Sequence, residues 1–143
     1  MTAHAGTIMQ LGIEISTDGD WNAPQIQISG SQAALLSLGA LLNDLTESSE
    51  FEFDAVISNA YDWAIPAVAL CTTPFVDGLL QVSADEEFLR LLGDTDAFRK
   101  LGSSLVTFFS GDVPVGRHFH LDYYPGNQVL RSTTCSLIFL CDQ

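Results

Sequence analysis

Positive charge is nearly missing from this sequence. Five Lys and Arg stand against eighteen Asp and Glu in 143 residues, a formal charge of −13, and residues 1–72 contain no Lys or Arg at all. Such a field repels nucleic acid phosphates and anionic membrane surfaces, and leaves a basic polypeptide as the partner it attracts. Long apolar runs are also lacking: none approaches the roughly 20 residues that cross a bilayer. Met1 to Gln10 has neither the basic start nor the apolar stretch of a secretion signal. Cysteine is scarce, with Cys71, Cys135 and Cys141 and no Cys-x-x-Cys spacing. An odd number of thiols and no export signal predict reduced, buried cysteines in a cytoplasmic protein. Charged residues of both signs make up only 16% of the chain against 47% hydrophobic. That balance excludes a disordered chain and is enough for one compact domain over residues 1–143.

What is present is a pattern that recurs. Met9 to Ser16 alternates, with Leu11, Ile13 and Ile15 on one side and Gln10, Gly12 and Glu14 on the other. A period of two is that of a half-buried strand. Asp18-Gly19 and Pro24 mark a loop, and Gln25 to Ser29 resumes the alternation with Ile26 and Ile28 inward, completing a hairpin. Ser31 then caps a helix whose stripe is Leu35, Leu38, Leu42 and Leu45. Sliding the chain along itself brings Gly30 onto Gly93, Ala34 onto Ala97, Leu38 onto Leu101, Gly39 onto Gly102 and Leu42 onto Leu105. The second stripe is Phe98, Leu101, Leu105 and Phe108. After each helix come similar strands, Phe51 to Asp54 and Phe119 to Asp122, and each half closes on a strand ending in cysteine. These correspondences predict an α+β fold: a tandem duplication, residues 9–72 and 76–141, of a strand–strand–helix–strand–strand unit. The sheet is expected to be mainly antiparallel, with two helices packed on one face. Ser83 to Glu86 has the form of a helix cap, but the repeat favours a hairpin strand over residues 88–92. Gly39 and Gly102 lie inside helices beside the apolar stripe, where close approach of backbones would explain them.

Catalytic motifs are few. No Gly-x-Ser-x-Gly elbow and no His-Glu-x-x-His occur. Asp18-x-Asp20-x-Asn22 opens like a calcium loop but lacks its glycine and its final glutamate, so it reads as a turn. The concentrated segment is Arg117 to Asn127. In a strand, His118, His120, Asp122 and Tyr124 share one face and Phe119, Leu121 and Tyr123 the other. His118, His120 and Asp122 could be three ligands of a zinc or iron site, but the further histidines of a metallohydrolase site are missing, with His4 alone elsewhere. A polar face is therefore expected, with no cofactor. Its counterparts in the first half are Glu50, Glu52 and Asp54. Since the helices cover one side of the sheet, these seven residues are expected on the other, as a partner-binding surface.

The helix block Gly-x-x-x-x-Leu-x-x-Leu-Gly, carried in part as Gly93, Phe98, Leu101 and Gly102, precedes His118-Phe119-His120-Leu121-Asp122-Tyr123-Tyr124 and a closing strand, Ser136 to Cys141. This arrangement, over about Gly78 to Cys141, resembles the small immunity proteins of bacterial polymorphic toxin systems, closest to immunity protein family thirty-two. The resemblance implies an α+β fold without catalysis that binds and blocks a cognate toxin made by the same cell. The expected partner is then a protein, a basic toxin, with no nucleic acid and no membrane. Two rivals remain. One is a metal-dependent enzyme using His118, His120 and Asp122. The other is a self-associating structural protein or homodimer, since Leu137 to Leu140 is apolar on both faces.

Overall fold

The computed structural model describes residues 9–47, 49–57, 63–74 and 77–143. His4, Asp62 and residue 76, the expected start of the second repeat, lie outside the described residues. Ten elements follow one another: β1 (Met9–Thr17), β2 (Gln25–Gly30), α1 (Gln32–Asn43), β3 (Glu50–Val56), β4 (Ala67–Thr72), β5 (Gln81–Ala84), β6 (Phe88–Gly93), α2 (Thr95–Phe108), β7 (His118–Leu121) and β8 (Ser136–Cys141). The order strand–strand–helix–strand–strand is thus run through twice. Residues 88–93 are a strand, because the Asp85 carboxylate accepts from the Glu87 and Phe88 amides and closes a hairpin turn rather than capping a helix.

The strands form one eight-stranded sheet in the order β5-β6-β4-β3-β1-β2-β8-β7. The expectation of a mainly antiparallel sheet is corrected: the sheet is mixed. Its antiparallel contacts are the four hairpins, β1–β2, β3–β4, β5–β6 and β7–β8. Its parallel contacts, β1–β3, β2–β8 and β4–β6, join one hairpin to another. The reason is geometric. Turn residues specify only the partner reached by a short loop; the contacts between hairpins join strands connected by longer stretches of chain, across which a parallel pairing is possible. The hairpins also interlock. The first hairpin of each half takes the second hairpin of the other as its neighbour, giving two four-stranded groups, β1-β2-β8-β7 and β5-β6-β4-β3. The sheet curls until its ends meet across a loop: the Leu80 amide donates to the Val129 carbonyl (2.7 Å) and the Arg131 amide to the Leu80 carbonyl (2.8 Å).

Both helices begin on a side-chain cap. The Ser31 hydroxyl accepts from the Ala34 amide at 3.1 Å, and the Asp94 carboxylate accepts from the Ala97 amide at 2.8 Å. Asp94 is itself buried and takes a second bond, from the Gly78 amide at 3.1 Å. The helices cross at their internal glycines. A methyl group at Gly102 would lie 2.6 Å from the Gly39 carbonyl oxygen, and one at Gly39 would lie 3.0 Å from that of Gly102. Any side chain at either position pushes the helices apart. The inward residues of the strands, among them Ile13, Ile26, Phe53, Leu70, Leu91 and Phe139, form one core with Leu35, Leu38, Leu42, Phe98, Leu101 and Leu105. At the end of α2 the fully buried ring is Phe109, while Phe108 is only partly buried, a shift of one position from the expected stripe. Among the described residues no helix is long and apolar enough to cross a membrane.

Candidate functional site

The strands alternate over most of their length, so the residues between the core positions point outward, although Ser16 and Ser29 at such positions are buried. The two four-stranded groups therefore present two outer faces. On the first, the register sets Glu50, Cys71, Leu92 and Gln81 in one row and Glu52, Ala69, Arg90 and Ser83 in the next. On the second, the corresponding rows are His118, Leu140, Ser29 and Glu14, then His120, Ile138, Gln27 and Ser16. Glu50, Glu52 and Asp54 are exposed, as are His118, His120, Asp122 and Tyr124. The orientation expected from alternation holds for both groups of candidates.

Their proximity is another matter. β3 and β7 are separated by β1, β2 and β8. Four strand steps correspond to roughly 19 Å along the sheet. The carboxylates of β3 and the imidazoles of β7 occupy two surfaces rather than one.

On the first face, the outward residues of β4 are small: Ala67, Ala69 and Cys71. Longer side chains flank them on both sides, so the middle of the face is a groove of about 390 Å³. One wall carries Glu50 and Glu52, whose carboxylates have no hydrogen-bond or ion-pair partner among the described residues. The opposite wall carries Arg90 and Leu92. Arg90 is held in place: its guanidinium pairs with Asp85 and lies 4.9 Å over the Phe88 ring. The hydrogen bond from Arg90, with the turn amides of Phe88 and Glu87, holds the Asp85 carboxyl below its usual range against the opposing effect of desolvation. Cys71 is half-buried on the floor. Burial first, and the Glu50 charge second, push its thiol up from the ordinary value. Cys135 and Cys141 are buried, and all three thiols are free.

On the second face, Ile138 and Leu140 fill the position held by Ala69 and Cys71 on the first. The rings of His118 and His120 stand edge to face at 5.0 Å, and His118 Nδ1 lies 3.1 Å from the Gly116 carbonyl oxygen. Asp122 is engaged elsewhere, accepting a hydrogen bond from the Ser136 hydroxyl. Among the described residues no group of three His, Cys, Asp or Glu is placed to hold a metal ion. Tyr124 begins a tight turn closed by the Asn127 amide at 3.1 Å, leaving its side chain 62% exposed. Tyr123, on the same loop, lines a cleft of about 580 Å³ with Gln81, Asn127 and Arg131.

The groove was not foreseen from sequence, although its signal is there: Ala67, Ala69 and Cys71 are the alternate, smaller members of a run whose other positions are Val68 and Leu70. Alternation places them outward, but only the pairing of β4 between β3 and β6 surrounds them with longer side chains.

A family model described as Immunity protein 32 matches residues 25–56 and 89–141, more than half of the chain. The match takes in β2, α1 and β3 in the first half and most of β6 through β8 in the second, so it reaches further into the first half than residues 78–141 alone. No curated protein and no solved structure matches the chain.

Proposed function

The chain belongs to the immunity protein 32 family, and we propose that it neutralises a cognate toxin by stoichiometric binding, without turnover, in the cytoplasm of the cell that makes both. The observation that carries the reading is the family match over both halves. The charge extends it to the kind of toxin. A net −13 with three exposed carboxylates on β3 suits a basic partner, steered to the surface by long-range attraction. The same field opposes nucleic acid and anionic membrane as competing ligands. We also read the chain as two copies of one unit. Matching caps at Ser31 and Asp94, the crossing at Gly39 and Gly102, and the equivalent parallel registers of β2–β8 and β4–β6 support that reading.

Co-expression with a candidate toxin domain, sought among the neighbouring genes, is the test. Cells should survive only when the chain is present, and the two proteins should co-purify at a fixed ratio with an association rate that falls steeply with salt. Survival without any complex, or protection by trace amounts of the chain, would point to catalysis instead.

A further inference from the structure

We propose that the groove over Ala69 and Cys71 is where the toxin docks, and that it receives an extended segment bearing an arginine or lysine. The aliphatic stem would lie on the small residues of β4, with the cationic head between Glu50 and Glu52. This rests on the immunity reading and adds to it a place and a chemistry.

Three observations converge. First, the groove is a consequence of side-chain size on a regular sheet: Ala69 and Cys71 sit low between Glu50 and Glu52 on one wall and Arg90 and Leu92 on the other. Its volume of about 390 Å³ suits inserted side chains rather than a whole domain surface. Second, its charge is uncompensated on one wall only. Covering Glu50 and Glu52 with an apolar partner would strip water from two carboxylates and return nothing, so an occupant has to bring positive charge. Arg90 does not supply it from within, being committed to Asp85 and to the Phe88 ring. By standing on the far wall it also repels a cation from that side and directs it toward β3. Successive outward residues of a strand are about 7 Å apart, a span within which one guanidinium can bond to both carboxylates. Third, the molecule contains its own control. The second face has the same strand layout, yet Ile138 and Leu140 fill its floor and imidazoles replace the glutamates.

That control supplies the test. Ala69→Ile with Cys71→Leu copies the floor of the second face onto the first without altering charge. Toxin affinity should fall about 30-fold or more, as for loss of a buried anchor, while the salt dependence of association stays as in the wild type. Ala69→Lys, which places the chain's own cation beside the glutamates, should have the same effect and serves if the double variant fails to fold. Gln27→Ala, on the second face, should change affinity by no more than about twofold. A floor-filled variant that is folded and binds toxin like the wild type overturns the groove and leaves the immunity reading standing. A wild-type chain that never binds the toxin overturns the immunity reading. In that case, titration of a short peptide of alternating glycine and arginine decides the groove by NMR. Amide shifts centred on Ala69, Cys71 and Leu92, lost in the floor-filled variant, sustain it. Shifts spread over the whole surface, or equal in both proteins, remove it.

Discussion

The two outer faces of the sheet share a strand layout and differ in nearly every outward side chain. In each, a hairpin from one half of the chain lies parallel to a hairpin from the other. On one face, glutamates flank alanine and cysteine and leave a groove; on the other, histidines flank isoleucine and leucine, whose larger side chains occupy that position. Backbone pairing and inward residues build the skeleton, and they constrain the outward positions very little. Those positions are therefore where two structurally equivalent surfaces can acquire different chemistry.

The strongest way to break the comparison is to damage what both faces stand on. Gly102→Ala should destabilise the protein by about 3 kcal/mol in a denaturant titration, because the new methyl meets backbone at 2.6 Å and overpacking exceeds the gain of about 1 kcal/mol in helix propensity. Gly39→Ala should lose less, since its backbone contact, the Gly102 carbonyl oxygen at 3.0 Å, is looser and its nearest neighbour, the Val106 side chain at 2.9 Å, can shift. Equal losses would mean that the two helices share their crossing symmetrically. The caps sharpen the contrast next. Asp94→Ala removes two bonds from a buried carboxylate and should lose about 2 kcal/mol, whereas Ser31→Ala removes one and should lose about 1 kcal/mol.

The faces themselves differ in association. Glu50→Gln, Glu52→Gln and Asp54→Asn together should slow toxin binding about tenfold at low salt, with little change in stability. The rate measured by stopped flow should converge with wild type as salt rises. The smallest effect is that of pH on the first face. Because the Asp85 carboxyl is lowered on folding, its contribution is present above the unfolded value, about 3.9, and is lost as pH falls through the folded value beneath it. With the pair about half exposed, that contribution stays within ~0.5 kcal/mol. Arg90→Gln should reduce this acid-side component in a stability-versus-pH series, leaving the part due to the Glu87 and Phe88 amides.

Much of the skeleton was legible because it is local. Alternation in residues 9–29 and 50–54, the apolar stripe at Leu35, Leu38 and Leu42, and the cap at Ser31 each depend on residues a few positions apart. The outward orientation of Glu50, Glu52, Asp54, His118 and His120 follows from the same period of two. Phe109 was missed because the stripe was continued by three residues from Leu105 to Phe108, whereas the helical angle, still held by the Phe109 amide bonding the Leu105 carbonyl, turns the residue four positions on toward the core.

Sequence alone determined the elements, their caps, the inward and outward sides of each strand, the acidic field and the resemblance to immunity proteins. All of these are written in short-range periodicity or in composition. Tertiary structure decided which hairpins became neighbours, that their contacts are parallel, and that the β3 carboxylates and β7 imidazoles lie on separate faces. It also decided that Ala69 and Cys71 form the floor of a groove. The reason is that strand adjacency is settled by loop closure and helix crossing over dozens of residues, where no local pattern specifies which edge a strand will meet.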